Sequence, residues 1–107
     1  MALKFDDKGN LMPYERIQLN SDEFEEYFIK NFQSDSTRNK IYQSYQKYLV
    51  DFRKEITSNF TQWIDGSFVT NKVNPNDIDF VTLIDHEIYS KKRDLIDNNF
   101  RLKKAKK

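Results

Sequence analysis

Apolar residues recur every three or four positions in two segments of the chain. In the first, this spacing predicts a short amphipathic helix over residues 21–32, which begins after the capping residue Asn20. In the second, it predicts a longer helix over residues 37–58 that covers a sheet with one apolar stripe, while Arg38 falls outside the stripe and Tyr42 lies near its edge. The stripe consists of Ile41, Tyr45, Tyr48, Leu49, Phe52 and Ile56.

Two further segments have the composition of β-strands. Residues 60–65 are rich in aromatic and β-branched side chains and are followed by Gly66, so we predict a strand there. Residues 78–84 form the second predicted strand. Past Asp79 this segment is apolar on both faces apart from Thr82, which predicts a central strand that is covered on both sides.

The ends of the chain are less regular. A turn at residues 6–10 lies between two short apolar segments, and residues 87–97 are predicted to form a last helix. Together the elements predict an α/β (α+β) fold in which N-terminal helices pack on a small mixed sheet. We divide this single domain into an extended segment (1–20), helices (21–58), two strands (59–85) and a helix with a basic tail (86–107).

Composition narrows the class of protein. The 107 residues suffice for one domain, and the chain has no cysteine, which excludes disulfides, thiol nucleophiles and thiolate zinc sites. No apolar run approaches the roughly 18 residues that span a bilayer, and no apolar stretch near Met1 is long enough for a secretory signal. We therefore expect a cytoplasmic protein that has no membrane partner.

Charge is unevenly distributed along the chain, although the net charge is only +1. Eight of the 18 Lys and Arg residues lie in positions 91–107, together with two acids. Such a basic end is either a solvated tail or a nucleic-acid contact, and nucleic-acid binding is the weaker interpretation.

Asp77 and Asp79 are the first candidate functional residues. Alternate side chains of a strand share a face, so these carboxylates are expected to project together, with Cα atoms roughly 7 Å apart. Two carboxylates in this arrangement repel each other unless a cation is bound to them. Oxygen ligands favour Mg²⁺ or Mn²⁺ over zinc. The alternative is structural, because the residues around Asn76 are typical of a turn.

Gly66 and Ser67 are the second candidate pair. Glycine after a strand permits unusual dihedral angles and a close approach of the backbone. Ser67 is predicted to cap a short helix over residues 68–71, and the amides of that turn suit a phosphate. Asp65 is expected to end the strand or cap the turn. Thr70 and Lys72 follow the turn. Each is either a nucleotide contact or an exposed loop residue.

The joint pattern of these motifs resembles a known signature. Gly66-Ser67, a gap of nine residues and then Asp77-Ile78-Asp79 at the start of an apolar strand resemble the polymerase-beta-like nucleotidyltransferase superfamily. The surrounding residues are similar to a small bacterial branch of that superfamily.

The resemblance covers residues 60–84 most closely and implies both a binding mode and an activity. It implies that a nucleoside triphosphate lies on Gly66 and Ser67, and that Mg²⁺ or Mn²⁺ lies on Asp77 and Asp79. It further implies transfer of a nucleotidyl group to a hydroxyl acceptor. Several minimal members of the superfamily are antitoxins that modify a partner toxin, so a toxin or another protein is a candidate partner.

One part of the superfamily pattern is not found in this sequence. Members usually carry a third carboxylate on a later strand, but Asp85 lies at the far end of the same predicted strand, and Asp94 and Asp97 fall in the last predicted helix. Three interpretations follow. The chain is a piece of a longer protein whose missing strand would follow Lys107, or it is a catalytically inactive, antitoxin-like binding module. In the third interpretation, another subunit completes the site. An open strand edge would also favour a homo-oligomer.

Overall fold

A computed structural model of the protein describes residues 3–12 and 16–100, so the predicted basic tail beyond position 100 lies outside the described residues. Its helices are α1 (Ser21–Glu25), which continues as a π-helix (Glu26–Lys30), α2 (Thr37–Glu55) and α3 (His86–Asn99). Its strands are β1 (Lys4–Phe5), β2 (Leu11–Met12), β3 (Thr61–Asp65) and β4 (Asp79–Leu83). The strands form two antiparallel pairs, β1 with β2 and β3 with β4. The predicted α+β class is confirmed.

The β1–β2 hairpin contains the turn that was predicted near the amino terminus. The Asp6 carboxylate accepts hydrogen bonds from the amides of Lys8 (2.9 Å) and Asn10 (2.8 Å). Gly9 has a φ of +86°, and a Cβ at this position would collide with the side chain of Asn71. The Asn71 amide also donates to the Gly9 carbonyl (3.0 Å), so the hairpin is attached to the loop that precedes β4.

The first predicted helix is present but changes type along its length. Asn20 and Glu23 form a capping box, in which each side chain accepts a hydrogen bond from the other residue's amide (2.8 and 2.9 Å). The π-helix that follows buries Phe28 and Ile29. The π-helix places both side chains in the main core, together with Tyr42 and Tyr45 of α2.

Helix α2 covers the inner face of the β3–β4 pair, as its apolar stripe predicted. The rings of Tyr45 and Tyr48 lie edge-on to Phe80, with centroids 5.0 and 4.9 Å away. Tyr42 was expected near the edge of the stripe, but it is only 8% exposed. It is buried because the Phe24 ring of α1 lies against it, at 6.2 Å between centroids.

A polar network joins α2 to the same face of the sheet. The Tyr45 hydroxyl donates to Gln62 (2.9 Å), whose amide group donates to the Thr82 hydroxyl (2.6 Å). The Tyr48 hydroxyl lies 3.3 Å from the same Thr82 oxygen. Burial raises the pKa of both tyrosines above the usual value of 10, most strongly for Tyr45.

Strand β4 is not the covered central strand that its composition predicted. Within the described ranges it pairs with β3 alone, in a register that places Asp65 opposite Asp79 and Trp63 opposite Val81. Its inward-facing residues pack under α2, whereas Val81 on the outer face is 53% exposed. The prediction was wrong because the apolar composition of a strand does not show whether one or both faces of the sheet are covered by other elements.

Helix α3 closes a second, smaller core at the far end of the sheet. The Phe100 ring lies edge-on to Phe52 (5.2 Å) and Tyr48 (5.5 Å). Asp85 begins the helix by accepting a hydrogen bond from the Glu87 amide (2.7 Å). None of the helices that the structure describes combines the length and apolar character needed to cross a bilayer.

Candidate functional site

The carboxylate of Asp79 lies directly over Gly66. Gly66 has a φ of +81° and begins a 3₁₀ helix, Gly66–Val69. A Cβ at this position would collide with Oδ2 of Asp79 and would lie 3.2 Å from its Cγ. Only glycine therefore fits both the backbone conformation and the space beneath the carboxylate. The two sequence motifs are neighbours in space.

Asp65, and not Ser67, caps this short helix. Oδ1 of Asp65 accepts a hydrogen bond from the Gly66 amide (2.8 Å), so the helix begins two residues earlier than predicted. The prediction for Ser67 was wrong, because the preceding carboxylate already occupies the capping position. The Ser67 carbonyl accepts hydrogen bonds from the amide (3.2 Å) and the hydroxyl (2.7 Å) of Thr70.

Asp77 precedes β4 and is half-buried, whereas Asp79 is the exposed first residue of that strand. The expected common projection of the two carboxylates stays a prediction. Ile78 between them is 7% exposed, and the alternation of inward and outward residues continues from there into β4. Asp65 faces Asp79 across the strand pair, which brings a third carboxylate to this end of the sheet.

The acids by themselves do not make a closed metal site. In the described ranges there is no group of three or more His, Asp or Glu side chains placed to hold a metal ion. Proteins usually hold Mg²⁺ with only one or two carboxylates, together with water and substrate phosphates. A magnesium or manganese ion held by Asp77 and Asp79 together with a nucleotide therefore stays a prediction.

The loop after the turn uses its polar groups to hold its own shape. The Thr70 hydroxyl donates to the Ser67 carbonyl and accepts from the Lys72 amide (3.2 Å). Lys72 is exposed. The assignment of Thr70 and Lys72 to the nucleotide stays a prediction.

Arg38 organises this loop, although its sequence position predicted no role for it. It lies outside the apolar stripe of α2, yet it is 0% exposed. Its guanidinium nitrogens donate to four backbone carbonyls, those of Phe28 (2.9 Å), Phe68 (2.6 Å), Thr70 (2.7 Å) and Lys72 (2.8 and 3.1 Å). No sequence pattern marks such a residue, because its partners are main-chain atoms.

Burial also changes the pKa of this guanidinium. Desolvation lowers the pKa of Arg38 from its usual value to about 10. The rings of Phe32 and Phe68 partly offset the loss of water, since their centroids lie 3.8 and 4.8 Å from the guanidinium carbon. The side chain remains charged at neutral pH and is held by hydrogen bonds to carbonyl dipoles.

The N-cap residue Ser36 and the first residue of α2, Thr37, hold the next part of the loop in the same way. The Ser36 hydroxyl donates to the Val73 carbonyl, and the Thr37 hydroxyl donates to the Pro75 carbonyl (2.7 Å). Together with Arg38, these contacts attach residues 68–75 to one end of a long helix. The span between Gly66 and Asp79 is therefore anchored to the core.

Two cavities adjoin the motif. A cavity of about 680 Å³ lies beside Asp65 and Gly66, and its wall includes Arg16 and Trp63. A second cavity, of about 890 Å³, lies between α2, β4 and α3, and Asp77 is part of its wall. We place the candidate site at the first cavity because Gly66 is part of its wall; Ser67, Asp77 and Asp79 are not among the residues that line it. No sequence pattern marks Trp63 as functional, although it is the chain's single tryptophan.

Comparison with known proteins identifies the family. A family model described as a family of unknown function, DUF6932, matches residues 3–107, and the chain belongs to this family. No curated protein and no solved structure matches the chain. The family description names no activity, so the resemblance to nucleotidyltransferases stays a prediction.

Proposed function

We propose that this member of the DUF6932 family binds a magnesium–nucleoside triphosphate and transfers a nucleotidyl group to a hydroxyl acceptor. The observation that supports the proposal most directly is the position of the Asp79 carboxylate over Gly66. A triphosphate lying on the Gly66-Ser67 turn would have its oxygens beside that carboxylate, where an ion could bind both.

Each residue of the motif then has a distinct role. Gly66 lets the backbone approach the phosphates, and the Ser67 hydroxyl is a further hydrogen-bond donor. Asp77 and Asp79 hold the ion, which, when bound, neutralises phosphate charge and assists departure of pyrophosphate. The acceptor oxygen bonds to the α-phosphorus as the bond to the β-phosphate breaks, and the hydroxyl proton passes to solvent.

Electrostatics makes binding dependent on the ion. Asp65, Asp77 and Asp79 lie at one end of the sheet, where their negative charges repel a bare triphosphate. We therefore expect nucleotide binding to need Mg²⁺ or Mn²⁺ and to disappear when the ion is chelated.

Binding without turnover is the second candidate function, and the positions of the remaining acids favour it. Asp85 caps α3, while Asp94 and Asp97 lie within that helix. None of the three is on a strand beside β4. In this case the domain would act as a cytoplasmic binding module, with a toxin or another protein as its partner.

Calorimetric titration of the protein with each of the four ribonucleoside triphosphates, with and without Mg²⁺, tests the proposal. We expect binding only with the ion and its loss in Asp77→Asn/Asp79→Asn. The matched control is Asp35→Asn/Asp94→Asn, which removes the same charge from exposed positions elsewhere. This control should bind like the unmodified protein.

Two results would contradict the proposal: failure of all four nucleotides to bind, or unchanged binding in the Asp77/Asp79 double variant. Turnover is measured separately, as pyrophosphate release in the presence of candidate acceptor proteins. Metal-dependent binding without any release would favour the binding module over the enzyme.

A further inference from the structure

The 680 Å³ cavity beside Gly66 has the size and lining of a small-molecule site. Ligand cavities in proteins are commonly about 300–1,000 Å³, with mostly apolar walls and a few polar groups. Leu19, Phe24 and Phe28 contribute apolar wall, whereas Arg16 and Asp65 contribute charge. The cavity therefore has an apolar part that the phosphates of a nucleotide would not use.

Trp63 and Arg16 form a stacked pair in the wall of this cavity. The guanidinium carbon of Arg16 lies 4.1 Å from the centroid of the Trp63 ring. Trp63 is nevertheless 45% exposed, which is unusual for the largest apolar side chain. A cation–π contact at an exposed site is worth only about 0.5–1 kcal/mol, so a better planar partner would displace the guanidinium.

The position of Trp63 relates it to the glycine turn. It lies two residues before Asp65 on β3, so both side chains are on the outer face, with Cα atoms roughly 7 Å apart. Gly66 follows Asp65 directly. A ligand that reaches from the Trp63 ring to the turn needs a planar group at one end and an anionic group at the other.

We infer that Trp63 is the stacking platform for the base of the bound nucleotide. This inference rests on the proposed function for the position of the triphosphate. The base lies on the indole face in place of the Arg16 guanidinium. Arg16 is thereby released to bind the base edge or a phosphate oxygen. Stacking of a base on an aromatic side chain tolerates every base, so the site selects a nucleotide over inorganic triphosphate and selects weakly among nucleotides.

Intrinsic fluorescence reads this contact directly, because Trp63 is the only tryptophan in the chain. The four Mg²⁺-bound nucleotides and Mg²⁺-bound tripolyphosphate are titrated against the unmodified protein. We expect the nucleotides to quench the emission and to bind more tightly than tripolyphosphate. Binding to Trp63→Leu and Trp63→Phe is measured by calorimetry, and thermal melting checks that both variants are folded.

Loss of stacking should weaken nucleotide binding by roughly 5- to 100-fold in Trp63→Leu. Trp63→Phe keeps an aromatic face and should lose much less. Tripolyphosphate binding should be unchanged in both variants. Equal affinity of the unmodified protein for nucleotides and tripolyphosphate, with no effect of Trp63→Leu, would overturn the inference and leave the proposed function standing.

Adenosine separates the two proposals, because it has a base and no phosphate. Support for the base site, even if the triphosphates fail to bind, is quenching by adenosine that persists in Asp77→Asn/Asp79→Asn, together with adenosine binding by calorimetry that is lost in Trp63→Leu and largely kept in Trp63→Phe. If neither adenosine nor any triphosphate changes the emission of the unmodified protein, both proposals are wrong.

Discussion

Arg38 makes two different contacts with Phe68. Its guanidinium donates a hydrogen bond to the Phe68 carbonyl (2.6 Å) and also lies 4.8 Å from the centroid of the Phe68 ring. Phe68 is completely buried two residues after Gly66. The buried guanidinium of Arg38 on α2 therefore fixes the turn that carries the candidate site.

Removal of this arginine should be severely destabilising. Arg38→Met removes the hydrogen-bond donor from four backbone carbonyls, two of them buried, and we expect a loss of about 3–5 kcal/mol in the free energy of unfolding. The matched control is Arg53→Met, since Arg53 is exposed over the Phe60 ring (5.4 Å) and its loss should cost under about 1 kcal/mol. Urea unfolding measures both, and equal losses would contradict the role given to Arg38.

The contact between Gly66 and Asp79 predicts a coupling between substitutions. Gly66→Ala introduces a side chain at positive φ and a collision with the carboxylate, so we expect it to cost about 1–3 kcal/mol. The same change in an Asp79→Ala background keeps the strained φ but removes the collision, and it should cost less. A double-mutant cycle from urea unfolding measures the difference. Additive costs would show that the carboxylate does not press on this turn.

Stability should decline in alkaline solution because of Tyr45. Its pKa is raised in the folded protein by burial, whereas in the unfolded chain it is near 10. Above about pH 10 the unfolded chain therefore binds fewer protons than the folded protein. The free energy of unfolding then falls by up to about 1.4 kcal/mol per pH unit.

Tyr45→Phe removes this titration and should flatten the decline between about pH 9 and about pH 11. Thr82→Val is the control, because it breaks the same network without removing Tyr45 and should lower stability while keeping a steep decline. Free energies of unfolding measured across this pH range for the unmodified protein and both variants test this prediction. An unaltered slope in Tyr45→Phe would assign the decline to other groups.

The capping box of α1 predicts a smaller effect. Asn20→Ala removes the hydrogen bond to the Glu23 amide and should cost about 1 kcal/mol. Asn59→Ala changes an exposed asparagine outside the helices and should stay within about 0.5 kcal/mol of the unmodified protein. Thermal or urea unfolding distinguishes the two. Equal values would show that the cap adds nothing to global stability.

The local elements could be predicted from the sequence because each depends on neighbours along the chain. The turn at Gly9, the cap at Asn20 and the stripe of α2 are set by interactions over a few residues. The proximity of the glycine turn to Asp79 was also expected, since the two motifs end and begin adjacent strands. The nucleotide and the ion remain predictions.

Tertiary structure alone decided the rest, because burial depends on which surface arrives from elsewhere in the chain. Tyr42 is buried by Phe24 of another helix, and β4 keeps an exposed outer face because α2 covers only its inner side. Arg38 binds main-chain carbonyls. Because every residue type has the same carbonyl group, the sequence does not show which residues are its partners. A sequence can therefore show that a charge is present, but only the folded chain brings the loops together that make it a structural anchor.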